Sequence, residues 1–273
     1  MLSFWITLHT KQVCLKTKLP EIAALITGGF AALLGKDEQQ SIAELQINQQ
    51  HENYYVIDQN SDRVLDISDN CDHCFIQIKY HVMTALIQAH SQWLWFHAGA
   101  VANPEGAIVF PADAGGGKST FTTYFTQQGW QYCSDDVVPL NFYTQQIYPV
   151  PQTPRPRAAT STILSPDQLT HAKKQAVKLT AQQISHQAHP ITVMIFPRYQ
   201  PDAETILSPC SVGQSMMNLL RNCINFPIHK TQVIPFLVTL IQEIHRFELV
   251  YSDRTAACSQ LEHLSQRNWS LDP

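Results

Sequence analysis

Three glycines in a row stand before a lysine and a serine in Ala112-Asp-Ala-Gly-Gly-Gly-Lys-Ser119. A turn that wraps an oligophosphate with its backbone N–H groups has no room for side chains where it bends most tightly. Gly115, Gly116 and Gly117 meet that demand. Lys118 then offers a point charge to the β- and γ-phosphates, and Ser119, with Thr120 beside it, an oxygen to Mg²⁺. Ala112, Asp113 and Ala114 lead into the turn, with Ala112 standing where the pattern usually has its first glycine. Such a motif is a phosphate loop only between a strand and a helix. Ala107-Ile-Val-Phe-Pro111 reads as the strand, and Ser119–Gln127 as a helix whose positive end faces the same phosphates.

Asp135 and Asp136 are a second group, 17 residues beyond Lys118 at the end of the apolar strand Trp130–Ser134. In an open α/β sheet the carboxyl ends of strands converge on the ligand crevice. One carboxylate can hold Mg²⁺, directly or through water, and the other can take a proton from an attacking hydroxyl. Neighbours on a strand point to opposite faces, so the two need not share a role. An isolated pair of this kind would read as a solvated turn. His97, in Phe96-His-Ala-Gly-Ala-Val101, lies 21 residues before Lys118 and ends the apolar run Trp93–Phe96. It can orient a carboxylate or stabilise developing charge, or it is a hydrogen-bonded structural histidine. Arg155 and Arg157, each directly after a proline in Pro151-Gln-Thr-Pro-Arg-Pro-Arg157, and Arg198 in Phe196-Pro-Arg-Tyr199 are candidates to meet a γ-phosphate; exposed loop arginines are the alternative. Cys71-Asp-His-Cys74 has one half of a zinc knuckle. No second cysteine pair follows, so free thiols in a turn are expected.

The elements around these residues divide the chain in three. Residues 1–90 read as an accessory α/β region: a strand-like alternation over Phe4–Leu15, helical character over Leu19–Leu34, strands at Ile42–Asn48 and Tyr54–Val64, and a helix over Phe75–Gln88. Residues 91–150 hold the motifs, closed by a hairpin of Val137–Leu140 and Gln146–Val150. Beyond them, Ser165-Pro-Asp-Gln168 and Ser211-Val-Gly-Gln214 are helix starts. The second places Val212, Met216, Leu219, Leu220 and Cys223 on one helix face. Ile191–Phe196 is a strand, and a helix near Gln232–His245, a strand Phe247–Tyr251 and a helix near Thr255–Leu264 complete the core. The expected domains are 1–90, for substrate recognition or assembly, and 91–273, for catalysis.

Of the 273 residues, 44% are hydrophobic and only 15% charged, with a net charge of -4. That balance gives no reason to expect nucleic acid or an anionic membrane as partner. No basic n-region precedes the first strand, and the longest apolar stretch, Ile22–Leu34, is too short to span a bilayer. A cytoplasmic protein is expected, which also suits seven irregularly spaced cysteines as free thiols.

In order and spacing, His97-Ala-Gly-Ala, the glycine-rich loop and Gly129-Trp-Gln-Tyr-Cys-Ser-Asp-Asp136 resemble HPr kinase/phosphorylase, of the phosphoenolpyruvate-carboxykinase-like nucleotide-binding fold. Pro154-Arg-Pro-Arg157, Phe196-Pro-Arg-Tyr-Gln-Pro201 and Leu249-Val-Tyr-Ser-Asp253 resemble segments of the HPr-kinase-related proteins found beside peptide-modification genes. The resemblance covers about residues 91–265. It implies an α/β P-loop kinase core that uses ATP and Mg²⁺. It implies Lys118 on phosphate, Ser119 and Asp135 on the metal, Asp136 as base and His97 in its support. The acceptor it implies is a Ser or Thr hydroxyl of a peptide or small protein. The alternatives are a kinase for a small hydroxylated metabolite and a nucleotide-binding accessory protein with little catalysis. The Glu- and Arg-containing signature that follows the Asp pair in bifunctional HPr kinase/phosphorylases is absent. Phosphorolysis, HPr as acceptor and a hexamer are therefore not carried over; a homo-oligomer is compatible with the sequence.

Overall fold

Alternation of apolar residues at the amino terminus predicts one strand; the structure, a computed structural model describing residues 1–36, 40–154 and 177–270, has two. Leu2–Leu8 (β1) and Lys11–Thr17 (β2) form a hairpin whose turn holds His9 at a left-handed φ of 52°. The period-2 pattern simply runs through the turn. Pro20–Gly29 (α1) starts with proline in its first turn and ends before a 3-10 turn at Ala31–Leu33. Leu34–Gly35 (β3), Ala43–Gln50 (β4), Asn53–Asp58 (β5) and Arg63–Ser68 (β6) complete a six-stranded mixed sheet, ordered β3-β1-β2-β4-β5-β6. The expected single strand Tyr54–Val64 is thus also a hairpin. Asp58 folds its connection, accepting from Asn60 N at 3.0 Å and from Ser61 Oγ at 2.7 Å. Tyr54–Asp58 lies inside the sheet, paired on both sides, and the edge strands are β3 and β6.

Cys71–Ala89 (α2) covers this sheet. Phe75, Ile78, Val82 and Leu86 recur at helical spacing and are buried with Ile6, Leu15, Ile47 and Val56 of the strands. Cys71 and Cys74 sit in the first turn of α2, not in a free turn, because Asn70 caps the helix by accepting from His73 N at 2.8 Å. All seven cysteines are free thiols, and burial pushes that of Cys74 up to about 12. Among the described residues, no cluster of three or more His, Cys, Asp or Glu side chains is arranged to hold a metal.

These elements make up one compact unit, Met1–Ser91; Gln92–Pro273 is the other. The second unit runs Trp93–Asn103 (β7), Gly106–Pro111 (β8), Lys118–Gln127 (α3), Gln131–Ser134 (β9), Val137–Asn141 (β10) and Gln146–Ile147 (β11). It continues through His189–Tyr199 (β12), Ile206–Pro209 (β13), Val212–Arg221 (α4), Phe226–Glu243 (α5), His245–Tyr251 (β14) and Arg254–Gln266 (α6). The strands form a mixed sheet, ordered β11-β10-β7-β8-β12-β14-β13, with β9 added to β7. β8, β12 and β14 run parallel, and β7 is antiparallel to both β8 and β9. β8 and β9 therefore end at the same edge. The expected helix start at Ser165 and the arginines Arg155 and Arg157 lie outside the described residues.

Side chains alternate between the two faces of this sheet. Val101, Ile108, Phe110, Val193, Ile195, Phe247 and Leu249 pack against Phe121 and Phe125 of α3 and Leu261 of α6. Phe96, Ala98, Ala100, Val109, Met194 and Phe196 pack against Leu219 of α4 and Leu237 and Ile241 of α5. Tertiary burial is what holds α3. Four threonines in Lys118–Gln127 give it weak intrinsic propensity, whereas Phe121 and Phe125, fully buried, each contribute about 2 kcal/mol. Among the described residues, no helix is long and apolar enough to cross a membrane.

Candidate active site

The glycine turn between β8 and α3 is fixed by close contacts. Gly115 and Gly117 take left-handed φ values of 91° and 100°. A Cβ on Gly117 would lie 2.2 Å from Tyr251 Oη, and one on Gly116 would lie 2.7 Å from Ala112 Cβ and 3.2 Å from Pro197 O. Tyr251 Oη donates to Gly116 O at 3.3 Å, and Gly116 N to Asp113 O at 3.1 Å. The turn is therefore pressed onto the ends of β12 and β14, where only glycine fits. Gly117 is the N-cap of α3 and offers its first turn no side-chain acceptor, whereas Asn70, Ser211 and Asp253 cap α2, α4 and α6. Ser119 and Thr120 stand half-buried in that first turn; Asp113 and Ala114 are exposed before it.

Lys118 is only 7% exposed. Its ammonium donates to Ala112 O at 2.7 Å and Asp113 O at 3.0 Å, and meets His97 Nε2 at 2.9 Å. An ammonium has donors alone, so Nε2 of His97 is the acceptor and the ring proton is on Nδ1. Nδ1 lies 3.5 Å from Asp136 Oδ1. Burial, and then the Lys118 charge, hold the His97 pKa below its ordinary value, against the opposite pull of Asp136. A neutral imidazole thus joins a buried cation to a half-exposed carboxylate.

Strand β7 brings the three together. It is 11 residues long, so His97 lies in its interior, not at the strand end that the shorter apolar run suggests. On one edge of β7, Ala112 N donates to His97 O at 3.4 Å; on the other, Ala98 N donates to Asp136 O at 3.2 Å. The glycine turn and the Asp pair thereby flank the same two residues. Gly99 lets α3 approach: a Cβ there would lie 2.8 Å from Thr122 Cγ2 and 3.4 Å from Lys118 Cβ.

The two carboxylates diverge. Asp136 faces His97, while Asp135 accepts from Tyr132 Oη at 2.8 Å. Burial, and then Asp135, push the Tyr132 phenol far above its ordinary pKa, so it remains a donor. Ser119 Oγ and the Asp135 carboxylate are hard oxygen donors, and few. Oxygens of this kind suit Mg²⁺ shared with phosphate oxygens and water, not a closed protein cage.

Arg198 is not part of this group. It follows Met194 and Phe196 on the sheet face opposite α3, 60% exposed, with Nε 3.6 Å from Glu248 Oε1 and Nη1 donating to Gln200 Oε1 at 3.2 Å. Sequence reasoning also missed the Asn222–Asn225 segment between α4 and α5. Where β8 leaves the edge of β7, this segment replaces it. His97 N donates to Asn222 O at 2.8 Å, and Ile224 N to Trp95 O at 2.7 Å. Asn225 Oδ1 accepts from Trp95 N at 3.0 Å, and its Nδ2 donates to Trp93 O at 2.8 Å. Two asparagines beside a helix end are common in sequences, and nothing in their spacing points to a strand 130 residues away.

No family model matches this sequence, and no curated protein matches it. Among solved structures, the HPr(Ser) kinase/phosphatase from Coxiella burnetii is similar over 64% of this chain and 95% of its own, with 12% identity and a TM-score of 0.32.

Proposed function

We propose that this protein is an ATP-dependent kinase that transfers the γ-phosphoryl group to a Ser or Thr hydroxyl of a peptide or small protein. The observation that carries the reading is the convergence on β7 of a glycine turn with its lysine, a neutral histidine and an aspartate. In this reading Ala112–Thr120 is a phosphate loop, whose N–H groups and Lys118 hold the triphosphate. Lys118 exchanges the carbonyls of Ala112 and Asp113 for phosphate oxygens. Ser119 and Asp135 hold Mg²⁺, which neutralises charge on the phosphates when bound.

Asp136 takes the proton of the acceptor hydroxyl as its oxygen bonds to the γ-phosphorus and the bond to the β-phosphate oxygen breaks, releasing ADP. His97, with its proton on Nδ1, steers the Asp136 carboxylate, and its Nε2 keeps Lys118 at the loop. Catalysis is positioning and charge neutralisation. The unit Met1–Ser91 then serves substrate recognition or assembly. The test is γ-labelled ATP incubated with short Ser- and Thr-containing peptides and with hydroxylated metabolites, followed by mass spectrometry. Labelled peptide is expected. Label on a metabolite alone would replace the acceptor class, and no transfer to any acceptor would refute the kinase.

A further inference from the structure

Tyr132 has no solvent-exposed surface. Burying a phenol hydroxyl costs free energy unless it is hydrogen-bonded, and an apolar side chain would fill the space without that cost. The hydroxyl is bonded to Asp135 Oδ1 at 2.8 Å. Its ring is held by packing, and its backbone by both neighbours: Tyr132 pairs with Val101 of β7, and its carbonyl accepts from Ser185 N at 2.9 Å. A fixed donor thus reaches from the core to a carboxylate that is only half-buried. The adjacent Asp136 is met by His97 instead.

We propose that Tyr132 is a positioning residue for the metal: its hydroxyl holds Asp135 Oδ1, so that Oδ2 alone is presented to Mg²⁺. This rests on the kinase reading above. Mg²⁺ demands near-ideal octahedral geometry, which a carboxylate fixed to present one oxygen satisfies better than one free to rotate. An unrestrained Asp135 would have to be ordered at the moment of binding. The consequence is specific: loss of the hydroxyl should weaken the Mg²⁺ step and leave the Asp136 base and the phosphate contacts alone.

The test is Tyr132→Phe in the full chain, read by equilibrium binding of a fluorescent ATP analogue as Mg²⁺ is titrated, with circular dichroism to check the fold. The midpoint in Mg²⁺ should rise about tenfold, the loss of one hydrogen bond to a charged group, while binding without Mg²⁺ is unchanged. In Asp135→Ala, adding Tyr132→Phe should raise it no further. Should the phenylalanine variant lose its fold, Tyr132→Met, a flexible apolar filler, is measured in its place. A wild-type Mg²⁺ midpoint in a folded variant, or a further rise in the double variant, overturns the role of Tyr132 alone. A wild-type protein that binds no nucleotide overturns the kinase reading and this inference with it.

Discussion

Lys118 uses all three of its donors, and that leaves His97 only one way to hold its proton. In the proposed mechanism the two aspartates, which face different partners, divide the work. Asp136→Asn should lower kcat by about 10²–10⁴ with nucleotide binding retained, because it removes the base. Asp135→Asn should instead raise the Mg²⁺ requirement. Turnover and nucleotide titration across a Mg²⁺ series measure both; wild-type behaviour of both would mark the pair as a surface turn. The His97 ring gives a pH prediction. Its pKa in the folded protein is below the ordinary value of about 6.5, so the folded state takes up this proton less readily than the unfolded one. Its stabilising share is complete above about pH 6.5 and is lost as pH falls towards the depressed folded pKa. Protonation also removes the acceptor for Lys118. The acid limb of kcat/KM should therefore lie below pH 6.5 and shift in His97→Asn; a limb at 7 or above, unmoved by that change, would contradict the assignment. At this scale the glycines, Lys118 and the Asp pair were legible, because their chemistry is local in sequence. The Tyr132 hydroxyl was not: a tyrosine in an apolar run reads as core until its donor is seen to reach Asp135.

At the scale of elements, β7 is the organiser, and its long run of buried residues was read too short. Alternation and apolar runs locate strands but not where pairing partners change. The first hairpins were merged for the same reason: His9 and Asp62 carry their turns at positive φ without a glycine to announce them. Helix starts fared better where a side chain does the work, as at Ser211, whose hydroxyl accepts from Gln214 N at 3.2 Å. The segment Asn222–Asn225 is the element that sequence could not supply, since it finishes the sheet from far away. Asn225→Ala removes two buried hydrogen bonds to β7, and should destabilise the protein by about 2–3 kcal/mol. Urea unfolding followed by fluorescence would show a lowered midpoint with unchanged slope. A change under 0.5 kcal/mol would mean that β7 does not depend on this clamp.

At the scale of the whole molecule, every described group of the candidate site belongs to the unit Gln92–Pro273. In the proposed reading, low charge and a net charge of -4 leave the binding of a polyanion to local geometry: a bare helix end, the buried Lys118 and a glycine turn. If those groups bind nucleotide, binding is linked to unfolding. MgATP at 100 times its dissociation constant should stabilise the protein by about 2.7 kcal/mol and raise Tm by roughly 5–10 °C. Lys118→Ala should keep its fold by circular dichroism yet lose most of that rise; an equal rise in wild type and variant would remove Lys118 from the site. Phosphoryl transfer by these residues is measured by following the label of γ-labelled ATP into Ser- and Thr-containing peptides, with wild type, Lys118→Ala and Asp136→Asn side by side. Phosphorylated peptide is expected with wild type, and loss of that product in both variants. Equal transfer by all three, or none by a wild type that is folded and supplied with Mg²⁺, would contradict this expectation.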